Sequence, residues 1–299
     1  MINPAQQLID MKKENDFLIC IDSDGCAFDT MEVKHKECFI PNIINEWDLQ
    51  AISKYVREAA EFVNLYSKWR GINRFPAIIN VMDLLADREE VKKRGFKVPN
   101  LGPLRKWIEG ETKLGNPALE TEVRRTGDPL LAKTLKWSKA VNDTVAKIVR
   151  GVPPFPFIRE SLEKMLEYAD IIVVSATPGE ALIREWEEHD ISKYVKVLAG
   201  QEMGTKAECI HFAIGAEYEN EKVLMIGDAP GDLKAARTNN ALFYPINPGN
   251  EDDSWERFYS EALDKFINGQ YAGAYEEKLI AEFDKYLPST PPWKKSSVK

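Results

Sequence analysis

The chain has 299 residues, 44% of them hydrophobic, with 40 Lys+Arg against 48 Asp+Glu and a net charge of −8. That apolar content supports a real core and excludes a disordered chain. The acidic balance, with no long basic run, argues against a nucleic-acid or anionic-membrane surface.

The four cysteines, Cys20, Cys26, Cys38 and Cys209, form no CxxC pair and no zinc spacing, which fits free thiols in a reducing compartment. The N-terminal residues carry no apolar signal-type run, and no stretch approaches the ~18 apolar residues of a membrane span. A soluble, cytoplasmic protein is expected, acting as a monomer or homodimer.

In chain order, Phe17-Leu18-Ile19-Cys20-Ile21 reads as a buried strand that stops at Asp22-Ser23-Asp24-Gly25. Two carboxylates this close repel each other unless a cation lies between them. Residues 31–154 are then rich in helical patterns (48–69, 77–90, 102–109, 130–149) and poor in strand signals. Pro153, Pro154 and Pro156 mark the exit from that segment. Strands are expected at 171–174, 195–198, 223–226 and 242–244, separated by helices at 159–168, 179–189, 206–216 and 232–238. Alternating strands and helices, with strands apolar throughout, imply an α/β fold with a doubly wound, Rossmann-like parallel sheet. The expected organisation is an α/β core from 1–30 and 155–250, a helical domain at 31–154 inserted after the first strand, and a C-terminal helical extension at 251–299. Its last residues, from Pro288, read as a loose terminus.

Four segments fall at the C-terminal ends of expected parallel strands, the edge where open α/β sheets bind ligands. In the first, a carboxylate of Asp22 or Asp24 is suited to nucleophilic or acid/base chemistry. In the second, Ser175-Ala176-Thr177 forms either an anion site at a helix N-terminus or a simple side-chain cap. In the third, Lys206 opens a helix, where a cation opposes the dipole. In the fourth, Gly227-Asp228-Ala229-Pro230-Gly231-Asp232 supplies hard oxygen ligands of the kind Mg²⁺ takes, with Asp232 alternatively an N-cap.

Taken in order, these segments resemble the haloacid dehalogenase superfamily: Asp22-Ser23-Asp24-Gly25 with Asp29-Thr30, then Ser175, then Lys206, then Gly227-Asp228 through Asp232. The resemblance implies Asp22 as nucleophile and metal ligand, Asp24 as acid/base with its backbone carbonyl on the metal, Asp228 as a Mg²⁺ ligand, and Asp232 as a further carboxylate either on the metal or just behind its ligands. It implies Ser175 and the Ala176 N–H as holders of the phosphoryl oxygens and Lys206 as the charge-offsetting cation. A second carboxylate at Asp24 points, within that superfamily, to phosphate-ester hydrolysis or mutase chemistry.

The inserted segment resembles the helical cap of the superfamily's phosphatases and β-phosphoglucomutases. In it, Lys68-Trp69-Arg70-Gly71-Ile72-Asn73-Arg74 resembles the mutases' cap loop, so that Arg70 or Arg74 would contact a substrate oxyanion; the alternative is a basic helix end with a Gly cap. Lys34, followed by His35, stands where those mutases carry His, which weakens the mutase reading. Trp47, Trp69, Trp107 and Trp137 are expected in the core of the inserted domain.

The implied activity is a Mg²⁺-dependent phosphohydrolase acting on a small phosphorylated metabolite through an aspartyl-phosphate. The alternatives are a sugar-phosphate mutase, a phosphonate hydrolase and a non-catalytic phospho-ligand-binding module.

Overall fold

A computed structural model describes residues 3–215 and 218–295, which divide into two compact units, Met1–Met31 with Gly151–Leu287 and Glu32–Arg150 with Pro288–Lys299.

In the first unit the strands β1 (Phe17–Ile21), β2 (Ala169–Val174), β3 (Val197–Ala199), β4 (Val223–Gly227) and β5 (Leu242–Pro245) form one sheet in the order β3-β2-β1-β4-β5. Every pairing is parallel, with Ile19 opposite both Ile171 and Leu224. The doubly wound α/β expectation holds. Alternate residues face opposite sides. Ile19, Ile21, Ile171, Val173, Leu224 and Ile226 join one buried cluster with Trp186, Trp255 and Phe258. Leu18, Cys20, Ile172, Val174, Val223 and Met225 join the other with Ile210, Ala236 and Phe283. Both faces are thus covered, which is why these strands carry no polar alternation. The strand order reverses beside β1, where β2 and β3 lie on one side and β4 and β5 on the other. Such a switch point opens a crevice at the C-terminal edge.

Asp170, on β2, is 1% exposed. Its carboxylate accepts from the backbone N–H of Glu14 and Asn15, from the Asn15 amide and from Tyr218 Oη, and pairs with Lys196 Nζ at 2.8 Å. Burial opposes its charge, but the bonds from Lys196, Tyr218, Glu14 and Asn15 outweigh it and hold the carboxyl below its ordinary 3.8. A depressed carboxyl contributes stability that is present above its unfolded value and fades as the pH falls through the folded one. Asp170→Asn is expected to cost about 2–3 kcal/mol at pH 7, and the gap to the parent should close below about pH 3–4. Urea unfolding of both proteins across that range measures it; a gap independent of pH would dismiss the ionic account.

The second unit is helical, with Ile40–Glu46, Ser53–Asn64, Arg74–Asp87, Gly102–Gly110, Asn116–Thr126 and Pro129–Ile148 as its longer pieces. Side-chain caps at Asn73 and Asp128, the latter followed by Pro129 at the first helical position, start two of them. Trp47, Trp107 and Trp137 lie in its buried cluster, with Trp69 packed against it, as expected. Residues 251–287 belong to the sheet unit and the chain from Pro288 to the helical one.

The loose C-terminus is corrected for the described residues. Pro288 O accepts from Lys68 N at 3.4 Å, and Trp293 and Tyr55 each lie 4.5 Å from the Arg88 guanidinium. A cation between two aromatic faces gives the segment a fixed seat that its polar composition conceals. Among the described residues no helix is long and apolar enough to cross a membrane.

Charge divides unevenly between the units. The helical one carries 25 Lys+Arg and 16 Asp+Glu, net +9, and the sheet unit 15 and 32, net −17.

Candidate active site

Backbone bonds of the sheet carry three of the motifs to one edge. Asp22, just past β1, donates its N–H to Ile226 O on β4 at 3.0 Å; Ser175, just past β2, donates to Ala199 O at 2.9 Å. Asp228 follows β4 directly. Gly25 adopts φ +75°, a left-handed conformation that lets the chain turn sharply after Asp24. At Gly227 a Cβ would lie 2.4 Å from the Asp232 Cβ, so only glycine lets Asp232 fold back toward the strand end.

Asp22, Asp228 and Asp232 each offer a carboxylate oxygen within 4.8 Å of the others, and all three are buried. Lys206 Nζ lies 2.6 Å from Asp22 Oδ2 and 2.5 Å from Asp232 Oδ1. A capping box between Thr205 and Glu208 fixes the start of the helix Lys206–Ile214 and hence the direction of that lysine.

Burial raises the Asp22 carboxyl well above its ordinary value, Lys206 opposes this, and Asp232 and Asp228 add to it. Asp232 is raised by burial and by Asp228 against Lys206. Burial disfavours the Lys206 ammonium, but Asp22 and Asp232 overcome that and push it up. Three buried carboxylates facing one ammonium are short of positive charge. Buried anions persist when paired or coordinating a cation, and an all-oxygen donor set fits Mg²⁺. Asp232 spends Oδ1 on Lys206 and Oδ2 on the Ala229 N–H, so Asp22 and Asp228 carry more of that fit. Asp232 stands at the third position of the helix Pro230–Thr238 and not at its N-cap.

The carboxylate of Asp24 is outside the cluster. It accepts from Thr30 Oγ1 and, at 2.5 Å, from Thr177 Oγ1. Ser175 is 5% exposed, and its Oγ accepts from Thr177 N at 3.1 Å. Neither Ser175 nor Thr177 caps the helix Gly179–Glu188; its first N–H goes to Glu202 Oε2 instead. Sequence reasoning missed the Thr177–Asp24 bond, because both residues lie past the ends of their strands, where no strand period relates them.

Arg70 is 2% exposed and donates to Leu65 O at 2.8 Å; Arg74 donates to Ser138 and to Asn142 Oδ1 and lies over Phe39. These bonds are made within the helical unit, and burial brings the Arg74 guanidinium down to about 10. His35, 9% exposed, stacks on Phe39 in a π-helical turn at Lys34–Phe39.

Residues 102–244 match the family model for haloacid dehalogenase-like hydrolase. This part of the chain is haloacid dehalogenase-like. The match begins after the Asp22–Asp24 pair, which rests on the motif resemblance and on its position at the sheet edge. Among solved structures, a candidate phosphoglycolate phosphatase from Lactobacillus delbrueckii subsp. bulgaricus aligns at 14% identity over 87% of this chain and 100% of its own, with a TM-score of 0.46. A haloacid dehalogenase-like family hydrolase from Xanthomonas campestris aligns at 10% identity over 87% and 96%, with a TM-score of 0.45. A haloacid dehalogenase-like family protein from Streptococcus pneumoniae aligns at 14% identity over 82% and 90%, with a TM-score of 0.44. The comparison with curated proteins finds no match.

Proposed function

We propose that the haloacid dehalogenase-like chain is a Mg²⁺-dependent phosphohydrolase that cleaves a small phosphorylated metabolite through an aspartyl-phosphate on Asp22. The observation that carries this reading is the gathering of Asp22, Asp228 and Asp232 within 4.8 Å around Lys206 at the sheet's switch point. When bound at Asp22 and Asp228, Mg²⁺ supplies positive charge that lets an anionic phosphoryl group approach a carboxylate.

An Asp22 carboxylate oxygen forms a bond to phosphorus as the phosphorus–ester oxygen bond breaks, and Asp24 delivers its proton to the departing oxygen. Lys206 aims Asp22 and opposes the rise that burial imposes on its carboxyl. The Ser175 hydroxyl and the Ala176 N–H bind the non-bridging oxygens. Asp24, now a carboxylate, then takes a proton from water, whose oxygen attacks phosphorus, and the phosphorus–Asp22 bond breaks to release phosphate and restore the enzyme. The test is a phosphate-release screen over sugar phosphates, nucleotides and phosphonates, with and without Mg²⁺. Release that is indifferent to EDTA would overturn the reading, and turnover that requires a bisphosphate primer and releases little phosphate would replace it with the mutase.

The division of charge bears on the substrate. A chain of net −8 repels anions at long range, so salt should speed their capture; a substrate drawn by the +9 helical unit responds in the opposite direction. The kcat/KM for a phosphate ester is expected to fall about 3- to 10-fold between low and ~0.5 M ionic strength. A steady rise over the same range would assign capture to the acidic unit instead.

A further inference from the structure

Between the two aspartates stands Ser23, which is fully buried. Its backbone N–H donates to Asp22 Oδ1 at 2.7 Å, and its carbonyl accepts from the N–H groups of Cys26, Ala27 and Phe28. Its hydroxyl lies under the loop, accepting from Trp186 Nε1 at 3.0 Å and donating to Glu185 Oε2 at 3.1 Å. Trp186 is itself fully buried and meets Phe28 edge-on at 5.8 Å. Both partners lie on the helix Gly179–Glu188, whose preceding residue pair includes Thr177, the hydroxyl bonded to Asp24. One rigid element therefore reaches both carboxylates: Asp24 from before its first turn and, through Ser23, Asp22 from its last.

We infer that Ser23, clamped by Trp186 and Glu185, is a positioning residue for the nucleophile. The clamp fixes the peptide whose N–H holds Asp22 Oδ1 and so, with Lys206 on Oδ2, sets the direction in which the carboxylate meets phosphorus. A hydroxyl in a dry loop with two partners of fixed direction has one orientation, and a carboxylate held within a fraction of an ångström keeps its near-attack geometry. This inference rests on the phosphohydrolase reading for the identity of the nucleophile, but not for the geometry of the clamp.

The experiment compares Ser23→Ala, Trp186→Phe and the double variant, with Glu185→Gln as the conservative control that keeps an acceptor. Trp186→Phe keeps an aromatic ring near Phe28 but removes the N–H together with part of the buried ring system, so it is read beside Ser23→Ala, which leaves the indole in place. Each single variant is expected to lower kcat about tenfold with KM changed less than about twofold. The double variant should be no worse than either single one, because both break the same device, and Glu185→Gln should retain most of the parent activity.

Parent-like kcat in Ser23→Ala and Trp186→Phe, with the parent active and Asp22→Asn inactive, would overturn the inference and leave the phosphohydrolase reading standing. So would losses that multiply in the double variant. If the parent releases no phosphate, that reading fails first, and the clamp is read instead by ¹⁹F NMR of beryllium fluoride in Mg²⁺ buffer. A signal lost in Asp22→Asn and weakened about tenfold in Trp186→Phe sustains the positioning role; equal signals in parent and Trp186→Phe, or no signal in the parent, end it.

Discussion

Asp22→Asn is expected to lower phosphate release by about three orders of magnitude or more and, at the same time, to make the metal-free protein more stable. The first result follows because an amide oxygen is a poor nucleophile for phosphorus and no other side chain in the cluster is offered to substrate in its place. The second follows from the balance of causes at Asp22. Burial is the largest influence on its carboxyl, larger than the opposing pull of Lys206, with Asp232 and Asp228 adding to the rise. An isosteric neutral group escapes that penalty, leaves Lys206 its bond to Asp232, and is expected to gain about 1 kcal/mol, or about 2–4 °C in Tm.

The sign with pH is opposite to that of Asp170. Between the ordinary value of 3.8 and the raised one, the folded state holds the Asp22 proton better than the unfolded chain does. The carboxylate therefore costs stability above that window, and the cost fades as the pH falls through it. In EDTA the variant's advantage should be widest at alkaline pH and close toward pH 4. In Mg²⁺ it should shrink or reverse, because the ion binds the parent more tightly and stabilises it by mass action. Calorimetric scans of the two proteins with and without Mg²⁺ decide it. A variant less stable than its parent in EDTA would mean that the ion pair with Lys206 outweighs burial.

Much of this was legible in the chain before any coordinate. β1 falls at Phe17–Ile21 as read from its apolar run, and the later strands differ from expectation only at their ends. A strand buried on both faces has an unmistakable composition, whereas its first and last residues depend on pairing: Ala169 and Asp170 join β2 because Phe17 and Leu18 lie opposite them. Val195 is lost from β3 for the converse reason, since pairing with β2 begins at Val197. The helix Asn116–Thr126 went unread because its buried contribution is Leu119 alone, too little for a periodic stripe.

At the site, the acidic residues could be found because each follows a strand. The hydroxyls and the indole that orient them could not, since Ser23, Thr177, Glu185 and Trp186 are ordinary residues until the fold brings a helix end under a loop. Net charge carries no position either: −8 is the sum of a basic and an acidic unit.

Lys206→Met is the substitution expected to damage the fold most. The lysine is 20% exposed at its side chain and is bonded to two carboxylates, with a third in the same buried group. Methionine keeps the length and the apolar stem but leaves three carboxylates in a dry site facing no ammonium. Removing one partner of a buried ion pair costs about 3–5 kcal/mol, because the surviving charge cannot return to water. Partial protonation of Asp22 and Asp232, both already raised, limits the loss at low pH. The deficit should therefore be largest at alkaline pH, where Asp22 and Asp232 must both ionise. Added Mg²⁺ should recover part of it, since the cluster then binds a cation more avidly than in the parent, where Lys206 competes for Asp22. Activity should not recover with stability, because the ion at Asp22 and Asp228 does not replace an ammonium that holds Asp22 Oδ2 and Asp232 Oδ1 in fixed directions. Guanidinium unfolding with and without Mg²⁺, paired with phosphate release, separates the two effects. A loss under about 1 kcal/mol in EDTA would show that the carboxylates already share protons and need no cation, and the argument for a metal at this cluster would lose its electrostatic ground.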